Sequence, residues 1–110
     1  MFRETIAADA KQVDMVVSAS RGIAMHVRGV TGGATAGAGS GAGVAPGWVR
    51  LSRAGDVFTA EWSTDGSTWT AIGRATVPMR PTILVGLPVT SHNTSATAAA
   101  SFDDVAVQQP

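Results

Sequence analysis

Residues Trp48–Trp69 read WVRLSRAGDVFTAEWSTDGSTW, and their spacing decides what kind of fold the chain makes. Apolar and polar side chains alternate, the signature of strands with one dry and one wet face. Val49 and Leu51 alternate with Trp48, Arg50 and Ser52; Phe58, Ala60 and Trp62 alternate with Thr59 and Glu61. Ala54-Gly55 reads as a two-residue hairpin loop between them. That loop sets Arg53 opposite Asp56, Leu51 opposite Phe58 and Val49 opposite Ala60. Trp48, Arg50, Thr59 and Glu61 then share the other face. Trp62 and Trp69 are expected in the core, with Trp69 folded back over the Ser63–Thr68 turn.

The same period extends outward. Val13, Met15 and Val17 alternate along Gln12–Val17, and Ile23, Met25 and Val27 alternate with Ala24, His26 and Arg28. Ala19-Ser20-Arg21-Gly22 reads as the turn between them, its glycine free to take a positive φ. Matching the apolar faces sets Val17 opposite Ile23, Met15 opposite Met25 and Val13 opposite Val27. Asp14 then faces His26, and Gln12 faces Arg28, across the polar side. Ile83–Val89 is a nearly continuous apolar run, expected as a strand covered on both sides, although Pro88 lacks the N–H an interior strand needs. Ala98–Val107 reads as the last strand. Residues 31–47 hold seven of the thirteen glycines and read as a long mobile loop with at most one weak edge strand.

With 110 residues the chain makes one domain, 1–110, of the all-β class. Several short strands separated by regular turns favour an antiparallel β-sandwich or jelly roll. There is no cysteine, so thiol chemistry is excluded, and eight basic residues balance eight acidic ones, which leaves no basic footprint for nucleic acid. Arginine outnumbers lysine seven to one, a bias suggestive of a GC-rich bacterial genome. No apolar run approaches the roughly 20 residues of a membrane helix. Met1–Thr5 has neither a basic nor an apolar leader region, so no signal peptide is expected.

MFRET, the Trp48–Trp69 stretch and ILVGLPVTSHN…ASFDDVAV together resemble the concanavalin A-like lectin/glucanase superfamily. They are most similar to the laminin-G-like modules of secreted bacterial carbohydrate-active enzymes. The resemblance spans essentially the whole chain. It implies a lectin-like jelly roll lacking its N-terminal strands, because Met1–Glu4 matches the middle of a strand in such modules. It also implies an extracellular location if the chain is part of a larger secreted protein. Open strand edges would make a homodimer or another partner chain available.

Catalysis finds little support in these residues. Ser63–Trp69 is a sialidase Asp box, S-x-D-x-G-x-x-W, with one residue missing; with no tyrosine in the chain to act as nucleophile, it reads as a hairpin turn. Glycoside hydrolysis needs two carboxyl groups roughly 5–10 Å apart across one bond. Glu61 and Asp65 are separated by a turn, Asp103 and Asp104 point to opposite faces, and the E-x-D-x-E-like run of the glucanases is missing. The chain is therefore expected not to be an enzyme. His26 opposite Asp14 reads as a cross-strand hydrogen-bonded pair or as half of a metal site. No cofactor is expected; calcium occurs in relatives of this fold, but no D-x-D-x-D loop supports it here. Sugar binding calls for an aromatic platform and planar polar side chains, which Trp48 and its neighbours supply, unless that face is only the solvated side of the sheet. By analogy with lectin-like jelly rolls, the concave sheet is the place for a polysaccharide or other glycan. Arg3, Glu4, His26, Arg28, Trp48, His92 and Asn93 are the candidates to line it.

Overall fold

The computed structural model describes residues 1–109. Eight strands, β1 (Phe2–Arg3), β2 (Gln12–Val17), β3 (Ile23–Arg28), β4 (Ala36–Gly41), β5 (Trp48–Ala54), β6 (Val57–Ser63), β7 (Thr70–Thr76) and β8 (Leu84–Val85), carry the fold, and no helix occurs among the described residues. Every pairing is antiparallel, in the order β5-β6-β7-β4-β3-β2-β1-β8. The expected all-β class holds. Its strands form one continuous sheet that curls into a half-barrel, rather than two separated sheets.

The curl follows from where the apolar residues sit. Val13, Met15, Ile23 and Met25 from β2–β3 pack with Phe58, Ala60 and Trp62 from β6, although two strands intervene. Phe2 on β1 reaches Phe58, ring centroids 5.7 Å apart. Only a sheet bent around its apolar face brings such distant strands together. Each fully buried side chain of this size is worth about 1.5–3 kcal/mol. Val77 and Met79, just after β7, are buried in the same core. Asp56 holds their backbone, its carbonyl accepting from Val77 N at 2.8 Å, while Arg53 donates to Met79 O at 2.8 Å and Arg80 O at 2.7 Å.

The β2–β3 hairpin has the register that its apolar faces predict, from Gln12↔Arg28 to Val17↔Ile23. Gly22 takes φ +79°, and a Cβ there would run into the Gly41 carbonyl. The β5–β6 hairpin is slipped by two positions from expectation. Ala54 pairs with Val57, Arg53 with Phe58 and Leu51 with Ala60, so Gly55-Asp56 is the loop. Taking Asp56 out of the ladder frees its carbonyl and carboxylate for Val77 and Met79. Slipping by two conserves the faces, so the core assignments survive the wrong register.

Four further expectations are corrected. Residues 31–47 are not a loop with at most an edge strand: their Ala36–Gly41 is β4, inside the sheet between β3 and β7. It meets β7 at a single pair, Gly39↔Gly73. A Cβ on Gly39 would clash with the Ile72 carbonyl, and one on Gly73 with the Ala38 carbonyl and the Met25 sulfur. The run 83–89 contributes only Leu84–Val85, and Ala98–Val107 forms no strand. The tail leaves the free edge of β8 uncovered, and Asp104 sits at φ +52°, which breaks an extended path. Trp69 is only half-buried and lies on the outer face.

Candidate functional site

The seven residues singled out from sequence fall in three places, all away from the apolar concave face. Arg3, Glu4, His26 and Arg28 belong to the β1–β3 side. Arg3 pairs with Gln12 and donates to the Thr5 and Ala7 carbonyls. Arg28 donates to Gly33 O at 3.0 Å and Ala8 O at 2.8 Å. Glu4 accepts from Arg80 N at 3.0 Å. These three are committed to holding loops. His26 Nδ1 lies 3.0 Å from Asp14 Oδ1, the cross-strand pair that the register requires. Among the described residues, no group of three His, Cys, Asp or Glu side chains stands together as a metal site.

His92 and Asn93 lie in the loop after β8. His92 takes φ +58°, and its N–H donates to Thr90 Oγ1 at 3.1 Å. Asn93 Oδ1 accepts from Ser95 N at 2.9 Å, so its side chain caps the loop.

Trp48 is the third place, and here the surroundings are richest. It stands on the outer face of edge strand β5, 38% exposed, packed against the backbone of Gly66. A Cβ on Gly66 would come within 2.8 Å of the Trp48 ring, and its φ of +78° also favours glycine. Trp48, not Trp69, therefore covers the turn. Trp69 lies under Arg50, whose guanidinium carbon is 4.1 Å from the ring centroid. Arg50 Nε donates to Glu61 Oε2 at 2.7 Å, which pushes the guanidinium further above its ordinary value. Sequence reasoning placed Arg50 and Glu61 on one face with Trp48, but its slipped register kept them from facing each other and it put Trp69 in the core, so the three were missed as a unit.

The turn that supports this cluster is held by two side chains. Ser63 Oγ, buried, accepts from Gly66 N at 2.9 Å and donates to Asp65 Oδ1 at 2.9 Å. Asp65 Oδ1 also accepts from Thr68 N at 2.9 Å and Ser67 N at 2.8 Å. These N–H donors, Thr68 first and Ser67 next, with the Ser63 hydroxyl, hold the Asp65 carboxyl below its usual value. Asp65 is spent on geometry.

The free edge of β5 borders a trough of about 1410 Å³. Trp48, Arg50 and Trp69 line it from the outer face, Leu51 from the inner, and Val85 and Phe102 from across the gap. No helix of the described residues is long and apolar enough to cross a membrane. Comparison with known proteins finds no matching family model, curated protein or solved structure.

Proposed function

We propose that the chain is a non-catalytic, lectin-like module of jelly-roll type that recognises a polysaccharide along the β5 edge. The observation that carries this reading is Trp48, an indole left half in water on a rigid strand. Beside it stand the planar Arg50–Glu61 pair and Trp69, at the border of the 1410 Å³ trough. Stacking against an aromatic ring with planar polar groups at its flank is the chemistry a sugar needs. Binding of this kind raises the local concentration of whatever the module is joined to.

Native affinity electrophoresis through a panel of polysaccharides tests it, with circular dichroism on the same sample. The expected result is retardation by at least one polymer and its loss in Trp48→Ala, which remains folded. A folded parent retarded by none overturns the reading.

The open seam favours a second one. β5 and β8 end the sheet, and Val49, Leu84, Val85 and Leu87 remain exposed beside those edges. Unpaired edges of this kind accept another strand. Here the partner is a second copy of the chain, and sedimentation equilibrium across a concentration series checks it. A monomer throughout the series sets that reading aside.

A further inference from the structure

The turn between β2 and β3 and the loop around His92 border a second, smaller and half-open pocket of about 410 Å³. Its lining is Ser18, Ser20, Arg21, Ser91 and His92: three hydroxyls, a guanidinium and an imidazole, with no carboxylate. Two of the hydroxyls are occupied in shaping the walls. Ser18 Oγ donates to Gly22 O at 3.0 Å and accepts from Arg21 N at 2.7 Å. Ser91 Oγ donates to Asn93 O at 2.7 Å and accepts from Asn93 N at 3.2 Å.

The other three polar groups, the Arg21 guanidinium, the Ser20 hydroxyl and the His92 ring, have no hydrogen-bond or ion-pair partner among the described residues. This sets Arg21 apart from Arg3, Arg28, Arg50 and Arg53, which are all engaged. The Arg74 and Arg80 side chains are also unengaged but line neither cavity. A guanidinium with nearby hydroxyl and imidazole groups, and no carboxylate to compete, suits an oxyanion. The room suits something larger than a bare ion, since small-molecule sites run from about 300 to 1,000 Å³.

We propose that this pocket binds a small organic anion of sugar size, typified by a hexuronate, with its carboxylate on Arg21 and supporting contacts from Ser20 and His92. The proposal rests on the glycan reading only for the identity of the ligand's body, and it makes that glycan an acidic one.

The experiment is an amide-resolved NMR titration of the full chain at constant ionic strength, with sodium glucuronate, glucose and sodium sulfate as probes. Glucuronate is expected to shift Ser20, Arg21, Ser91 and His92 saturably, glucose to leave them unmoved, and sulfate to displace glucuronate only at higher concentration. Arg21→Gln is expected to weaken glucuronate about tenfold or more, as loss of a charge-assisted hydrogen bond does. Arg21 is an exposed turn residue whose backbone keeps its bond to Ser18, so the variant folds. Arg74→Gln, the control, leaves binding unchanged. Equal response to glucose, an unaffected Arg21→Gln, or shifts centred on Trp48 would each overturn the site. Sulfate binding as tightly as glucuronate would overturn its sugar-sized occupant. Polysaccharide retardation that depends on Trp48 is untouched by these outcomes, so the two readings fail separately.

Discussion

Residues 31–47 and residues 83–107 invert each other. The first stretch has almost nothing to bury, yet it supplies a strand inside the sheet; the second carries four Val, two Leu, Ile83 and Phe102, yet pairs at only two residues. The glycines succeed because two backbones must approach closely at Gly39 and Gly73, where a side chain would clash. Gly43 and Gly47 likewise let their segment lie against the Trp62 ring. The apolar run pairs so little because hydrophobicity selects what is buried but not which ladder receives it, and Pro88 follows β8 almost at once. Pairing needs a backbone free to donate and to lie flat as well as a suitable composition.

The contrast is open to attack at several points. The core sets the scale: Phe58→Ala removes a fully buried ring that β1 also touches, and denaturant unfolding should show a loss of about 3–5 kcal/mol. A variant melting like the parent would displace the core from where the sheet curls. Gly39→Ala tests the glycine half and should cost about 3 kcal/mol, from overpacking against backbone together with strain at a positive φ. A stability change within error would mean that β4 is not held where its pairing puts it.

The Ser63–Thr68 turn offers a smaller effect with a defined sign. The Asp65 pKa is depressed in the folded chain, so its contribution is full above the ordinary value of 3.8 and is lost as pH falls through the lower folded value. Asp65→Asn should remove that part of the acid sensitivity, and a carboxyl titration by NMR checks the direction. The smallest change belongs to the tail. Val105→Ser should alter stability by no more than about 0.5 kcal/mol, with amides 98–107 exchanging freely while those of β4 stay protected. Protection in the tail would show that it has found a ladder after all.

Much of the fold was legible because alternation survives small errors. The β2–β3 register followed from matching Val13, Met15 and Val17 to their partners, and with it the Asp14–His26 pair. The β5–β6 faces were right even though the loop was misplaced, since a slip of two residues keeps parity. What sequence could not supply was the tertiary use of polar groups. Asp56 looked like a ladder residue until Val77 and Met79 needed anchoring, and Arg3 and Arg28 looked like ligand-binding groups until loop carbonyls claimed them. Trp48 was legible as the exposed indole; its seat on Gly66 was not, because that contact joins β5 to a turn beyond β6.

The single pair joining β4 to β7 divides the sheet into a three-stranded part, β5-β6-β7, and a five-stranded part. All three tryptophans, Trp48, Trp62 and Trp69, lie on or beside the first, while His26 lies in the second and His92 beside it. Indole fluorescence and imidazole proton resonances therefore report on different parts of one unlabelled molecule. Coincident melting curves from the two signals would mean that one glycine pair, with the shared core behind it, is enough to make the halves a single cooperative unit.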